Sequence, residues 1–164
     1  MTVGTAEIDP KALRDCCGRF ATGVTVVTTR TPDGDHGMTL SAFMSVSLDP
    51  PLVCISVGRG AKMLPKLRMS GRYAVSILEE DMHAHAQHFA GRHDTALRNL
   101  FEDRAGLPVL RGAAAVLVTD VTQTVDAGDH VLLLGAVRHL EYRPVARPLL
   151  HHAGLFGRVL TNAA

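Results

Sequence analysis

The sequence predicts a mainly β protein, an antiparallel barrel with a few peripheral helices. Three observations lead there: strand-length runs of β-branched and apolar residues recur along the chain, turn residues separate them at hairpin spacing, and no regular strand-helix-strand alternation is present. A single domain, 1–164, is expected, with 1–8 as a flexible N-terminal tail. With 164 residues and 46% apolar content, the chain can bury a real core.

Taken in order, Asp9-Pro10 has the form of an N-cap followed by proline in the first turn, and Leu13, Cys16, Cys17 and Phe20 then recur at helical spacing. A short amphipathic helix is predicted, ending at Gly23. VTVVTTR (24–30) is a β-branched strand, TPDGD (31–35) a turn, and 36–48 one long return strand that Pro50-Pro51 stops. LVCISV (52–57) reads as a buried strand, GRGAK (58–62) as a glycine loop, and MLPKLRMS (63–70) as a short helix with Pro65 in its first turn. RYAVSIL (72–78) is a strand, 79–101 has mixed helical spacing, and GLPVLRG (106–112) reads as a loop. Two long strand patterns follow, 114–126 and 129–142, on either side of Ala127-Gly128.

Seventeen Lys and Arg against 16 Asp and Glu leave +1, and two Tyr with no Trp offer no stacking platform, so nucleic acid is not an expected partner. No apolar run approaches the ~20 residues that span a bilayer, and the N-terminus lacks a cationic segment followed by an apolar one. A soluble, cytoplasmic protein without membrane attachment is therefore expected. Cys16, Cys17 and Cys54 are odd in number, and two are adjacent in a helical pattern, which suits reduced thiols better than a disulfide.

HGMTLSAFMSVSL (36–48) alternates unusually. Met38, Leu40, Ala42, Met44, Val46 and Leu48 are apolar, while the intervening positions carry Thr39, Ser41, Ser45 and Ser47 with no charge. A strand facing water mixes in charge, and one buried on both faces reads as continuous apolar sequence. From alternation alone, packing against a neighbouring subunit or helix accounts for such a face more readily than a ligand does.

Three further stretches carry chemistry. Gly58-Arg59-Gly60 lies between a strand and a helix, but Met63 stands where a dinucleotide fingerprint needs its third glycine. A weaker anion site remains, with Arg59 and Lys62 as cations, against the alternative of a solvated basic turn. His83, His85, His88 and His93 cluster in MHAHAQHFAGRHD, yet only His85 and His88 are spaced to share a helical face and no carboxylate or Cys completes a ligand set, so no metal is expected. Gly128-Asp129-His130, taken by itself, reads as a hairpin turn between two strands that needs no function.

Together the segments FATGVTVVTT, HGMTLSAFMSVSLDPPLVCISV, SGRYAVSIL, HFAGR, GDHVLLLGAV and PLLHHAGLFG resemble the flavin reductase-like family, the FMN-binding split barrels, over roughly residues 13–157. The resemblance implies a Greek-key split β-barrel, usually a homodimer, that binds FMN or FAD and reduces it with a nicotinamide nucleotide, often for a separate flavin-dependent monooxygenase. It implies flavin contacts from Thr39, Leu40, Ser41, Ala42, Ser47, Ser56 and Val57, phosphate contacts near Arg59 and Lys62, and Phe89 and Arg92 beside the flavin phosphate or ribityl chain. Asp129 and His130 would flank the ring, with His130 as the catalytic candidate that donates to the flavin edge or a carboxamide. In PLLHHAGLFG, His152 keeps the family's His, while His151 and Phe156 stand where the family usually has Tyr. Ala153 and Leu155 replace two cations, which favours NADH over NADPH. The resemblance also leaves room for a tightly held flavin acting on a small organic substrate, or for a non-enzymatic flavin- or haem-binding module.

Overall fold

A computed structural model describes residues 8–160. The expected tail at 1–8 lies, except for Ile8, outside the described residues. Helix α1 (Pro10–Cys17) is capped by Asp9, whose carboxylate accepts from the backbone N–H groups of Lys11 and Ala12. The strands that follow are β1 (Thr22–Gly23), β2 (Thr25–Thr31), β3 (Gly34–Leu40), β4 (Phe43–Leu48) and β5 (Pro51–Gly58). Helix α2 (Met63–Ser70), β6 (Arg72–Ile77), α3 (His83–Phe89), β7 (Phe101–Arg104) and β8 (Leu107–Leu110) come next. The chain finishes with β9 (Ala115–Ala127), β10 (His130–Tyr142), β11 (Leu149–His152) and β12 (Leu155–Arg158).

Seven strands form one antiparallel sheet in the order β3-β2-β6-β9-β10-β5-β4. Its two edge strands, β3 and β4, are consecutive in the chain and joined by Ser41 and Ala42 alone. Laid flat, six inter-strand gaps would separate these edges by roughly 29 Å. Three peptide steps reach only about 11 Å. The sheet must curl until its edges meet, so the predicted mainly β barrel follows from connectivity.

Val27, Val53, Ile55, Val57, Tyr73, Val75, Val131 and Leu133 fill the barrel, and Met63, Leu64 and Leu67 of α2 pack on the same cluster. Gly71, in the left-handed region at φ 65°, ends α2 and donates its N–H to the Leu67 carbonyl at 2.9 Å. A second apolar cluster joins Val24, Val26 and Leu78 to Ala86 of α3 and to Leu149.

Helix α1 stops at Cys17, capped by Gly18, short of the expected Gly23, and four further segments differ from the sequence reading or add to it. The predicted long strand 36–48 is broken at Ser41-Ala42, and the break resets the side-chain alternation. Met38, Leu40 and Phe43 pack on the barrel core, whereas Met44, Val46 and Leu48 are turned outward at 54%, 44% and 93% exposure. The stretch 106–112 is not a loop, because β8 pairs with β7 and buries Leu107, Val109 and Leu110. Pro108 is tolerated there because this ribbon has two strands, leaving one side of each without a ladder. Within 79–101 only His83–Phe89 is helical. The C-terminal segment forms the hairpin β11–β12, turned by Ala153 and Gly154 at φ 49° and 83°, and β11 pairs with β1. Among the described residues no helix is long and apolar enough to cross a membrane.

Candidate functional site

The barrel closure is the centre of the site. Ser56 N–H donates to the Ala42 carbonyl at 3.0 Å, tying the β3–β4 link to β5, and Phe43 N–H donates to the Ser41 carbonyl at 2.9 Å within the link itself. The Thr39 hydroxyl donates to the Ala86 carbonyl of α3 at 2.6 Å, and the Leu40 carbonyl accepts from the Thr25 hydroxyl at 2.7 Å. The Thr39 hydroxyl therefore has a structural use, docking α3 against β3. The Ser41 hydroxyl makes no hydrogen bond among the described residues.

Two clefts flank the C-terminal end of α3. The first, about 590 Å³, is walled by Gly37 and Met38 of β3, by Lys62 and Lys66 at α2, and by Phe89 and Phe101. A Cβ at Gly37 would stand 2.7 Å from the Phe89 ring, so only glycine lets that ring lie on β3. Lys66 Nζ donates to His36 Nε2 at 3.1 Å, and the Thr31 hydroxyl lies 3.0 Å from the same nitrogen. The second cleft, about 870 Å³, lies between α3 and the β11–β12 hairpin and is lined by His83, Gln87, Arg92, Phe156 and Arg158. Phe156 meets the edge of His83 with ring centroids 4.5 Å apart.

The glycine loop and the β9–β10 turn are tied to each other. Arg59 donates from its backbone to the Asp129 carbonyl at 2.9 Å and from Nε to the Gly128 carbonyl at 2.8 Å, and its guanidinium lies 3.2 Å from Asp126. His130 pairs across β5 with Gly58, and a Cβ on that glycine would lie 3.8 Å from its Nε2. Its Nδ1 donates to Asp129 Oδ1 at 2.8 Å. This contact holds the Asp129 carboxyl below the ordinary carboxylate range. With Nδ1 committed to an acceptor, Nε2 is the nitrogen free to act, and it donates when the ring is protonated.

The residues expected from the sequence fall into groups. Thr39, Leu40, Ser41, Ala42 and Ser56 meet at the closure, and Asp129 and His130 stand one strand away across β5. Lys62 and Phe89 line the first cleft, but Arg92 and Phe156 line the second. His152 is exposed at the end of β11. Val57 is fully buried, so its side chain packs the barrel and only its backbone is offered to the site. Ser47 sits near the opposite end of β4, paired with Leu52, some five residues along the strand from Ala42. Of the clustered histidines, His88 accepts from the Asp94 N–H at 3.0 Å and packs on His93. Burial lowers the affinity of His85 for a proton. His36, Gly37, Lys66, Phe101 and Arg158 were not singled out from sequence; a glycine inside a strand, Gly37, was the one readable sign of close packing.

The first cleft suits a flavin by its donor set: aromatic and thioether side chains for a flat ring system, and two ammonium groups for a phosphate. The chain matches the flavin reductase like domain over residues 17–159. It belongs to that family. An NADH-dependent flavin reductase of a Rhodococcus species is 44% identical over 163 residues, covering 95% of this chain and 92% of that protein. The reductase component of 4-hydroxyphenylacetate 3-monooxygenase from Thermus thermophilus is 40% identical, with 86% of this chain and 91% of that protein covered. Among solved structures, the flavin reductase PheA2 superposes with a TM-score of 0.90 at 42% identity, covering 94% of this chain and all of that one (100%). The NADH:FAD oxidoreductase SgcE6 of Streptomyces globisporus, in complex with NAD and FAD fragments, gives 0.86 at 36% identity over 98% of this chain and 100% of that one. These superpositions take in nearly the whole chain, the split barrel included.

Proposed function

We infer that the protein is an NADH-dependent flavin reductase that takes FMN or FAD as its flavin and supplies the reduced form to a partner monooxygenase. The observation that carries this reading is the first cleft, where Phe89 lies against Gly37 and Lys62 and Lys66 face the same space, next to a closure of short side chains. When bound, the flavin supplies a hydride acceptor and NADH the hydride. The protein's share is to bind, to orient and to stabilise charge. Lys62 and Lys66 would hold the flavin phosphate, Phe89 and Phe101 would exclude water beside the ring, and the small residues at 39–42 with Ser56 would let backbone amides approach a polar edge. His130, oriented by Asp129, would offer Nε2 as a donor to the edge of a reduced flavin ring. No side chain acts as a nucleophile.

The reading includes a homodimer. Helix α1 has eight residues, none of them buried, and so short a helix is marginal in water without a packing partner. Its Leu13 and the neighbouring Phe20 are exposed together with Met44, Val46 and Leu48, which supports a second copy as the cover. A cytoplasmic setting agrees with Cys16, Cys17 and Cys54 all being free thiols.

Anaerobic stopped-flow mixing of the FMN-loaded protein with NADH tests the function. Bleaching of the flavin band, faster with NADH than with NADPH, is expected. A flavin band unmoved by either nucleotide overturns the reading.

A further inference from the structure

The sequence reads Arg59 as one of two cations of an anion site, but the fold engages it elsewhere. Lys62, three residues on, lines the first cleft, and Arg59 lines neither cleft. As the first residue beyond β5, it meets the β9–β10 turn at three points. Its N–H donates to the Asp129 carbonyl at 2.9 Å, one step past the pairing of Gly58 with His130. Its Nε donates to the Gly128 carbonyl at 2.8 Å, and a terminal nitrogen lies 3.2 Å from Asp126 Oδ1. Ala127 pairs directly with His130, so Gly128 and Asp129 are the whole of the turn, and Arg59 holds the carbonyl of each. The turn has little stiffness of its own. Residues 122–130 are all exposed, and Gly128, at φ 60°, brings a backbone of wide conformational range. His130 depends on that turn, because its Nδ1 donates to Asp129 Oδ1 at 2.8 Å and the Asp129 side chain is 95% exposed. No packing fixes this carboxylate, so its place is set by the backbone that carries it.

We propose that Arg59 is a positioning residue for the reaction: by bracing both carbonyls of the turn and Asp126, it fixes the Asp129 carboxylate and, through it, Nε2 of His130. The inference rests on the flavin reductase reading, in which His130 meets the ring edge, and deepens it. Arg59 is thereby assigned to the turn and not to a flavin phosphate, which stays with Lys62 and Lys66. A guanidinium suits this task because its planar fork holds a carbonyl and a carboxylate at once, whereas an ammonium on a flexible stem holds either less firmly.

The test compares the wild-type protein with Arg59→Gln and Arg59→Lys, in stopped-flow bleaching at saturating NADH, in separate FMN and riboflavin titrations, and in amide hydrogen exchange. Arg59→Gln should slow flavin reduction about fivefold, less than removal of His130 itself, and Arg59→Lys should recover part of the rate. FMN and riboflavin affinities should hold, and exchange at residues 127–130 should quicken in Arg59→Gln. In a His130→Ala background, Arg59→Gln should slow reduction no further. An unchanged rate overturns the proposal, as does a slowing that persists in full without His130, which would make Arg59 a general support of the fold. Loss of FMN affinity with riboflavin affinity intact also overturns it and returns Arg59 to the phosphate. A wild-type protein that reduces no flavin would overturn the reductase reading alone; the exchange measurement would still judge the brace, and equal exchange at 127–130 in wild type and Arg59→Gln overturns it.

Discussion

His130 owes its chemistry to a neighbour. Asp129 accepts from Nδ1 at 2.8 Å and fixes the ring's orientation, so Nε2, a donor when the ring is protonated, is presented toward the space above Gly58. Because an oxidised flavin ring is neutral, such a donor adds little to binding but grows stronger as hydride arrives. His130→Ala should therefore slow flavin reduction at saturating NADH by about 2 kcal/mol, roughly thirtyfold, at the low end for a lost donor because the side chain is half-exposed. Flavin affinity should hold. Stopped-flow bleaching with a separate FMN titration checks both halves; lost flavin with a normal rate would make His130 a turn residue only. Gly37 acts by what it lacks. In Gly37→Ala the new methyl would stand 2.7–2.8 Å from the Phe89 ring and push it into the first cleft. We expect flavin affinity to fall, with a stability loss of about 1 kcal/mol, read by FMN fluorescence quenching and thermal melting.

Within the sheet, two places hold neighbouring strands in register. A Cβ at Gly135 would stand 2.5 Å from the Tyr73 hydroxyl and 2.7 Å from Thr119, in the barrel interior. That hydroxyl donates to the Leu133 carbonyl at 3.2 Å, and its burial makes it far harder to ionise than an ordinary phenol. Gly135→Ala should cost about 1–3 kcal/mol, seen as a lower urea midpoint at unchanged slope. On the opposite face, Asp120 of β9 accepts from Arg138 of β10 at 2.8 Å and from Arg72 of β6 at 2.9 Å, so one carboxylate links three strands. The Arg138 hydrogen bond, with Arg72, lowers its proton affinity. A carboxyl depressed in this way stabilises the fold above the unfolded value near 3.9, and the contribution is lost as pH falls through the lower folded value. Asp120→Asn should lower Tm at pH 7 by an amount worth at most about 1 kcal/mol, given the exposure of all three side chains. The gap from wild type should close in acid. A gap that widens below pH 4 would contradict this.

At the scale of the molecule, apolar surface is left uncovered: α1 buries none of its residues, and Leu48 is 93% exposed on β4. Light scattering at micromolar concentration should give twice the 17.6 kDa chain mass. Leu48→Lys should shift that population toward monomer, because a charge in an apolar contact must be desolvated. A flavin-bound monomer of the wild type would remove the dimer. The clefts also belong to this scale. Each draws walls from segments far apart in the chain, Gly37 with Phe101 in one and Arg92 with Arg158 in the other.

The sequence by itself determined the strands whose apolar pattern is long and regular, from β2 and β5 through β9 and β10, because a two-residue period needs no partner to be read. It also determined the family, through motifs that keep Thr39 to Ala42 and Gly128 to His130 in order. Tertiary structure alone decided where alternation breaks. The two-residue link Ser41-Ala42 has to close a barrel, so the apolar face of 36–48 divides into a buried half and an exposed half. It likewise turned 107–110 into a strand, since Leu107 and Val109 gain burial only once the barrel exists to receive them. And it placed Phe89 and Arg92, three residues apart, in different clefts: the helix carrying Phe89 ends at that residue, and in the loop beyond it Ala90 and Arg92 line the second cleft while Gly91 and His93 line the first. Spacing along a chain fixes which side chains share a face only while one regular element continues, and here the element stops between them.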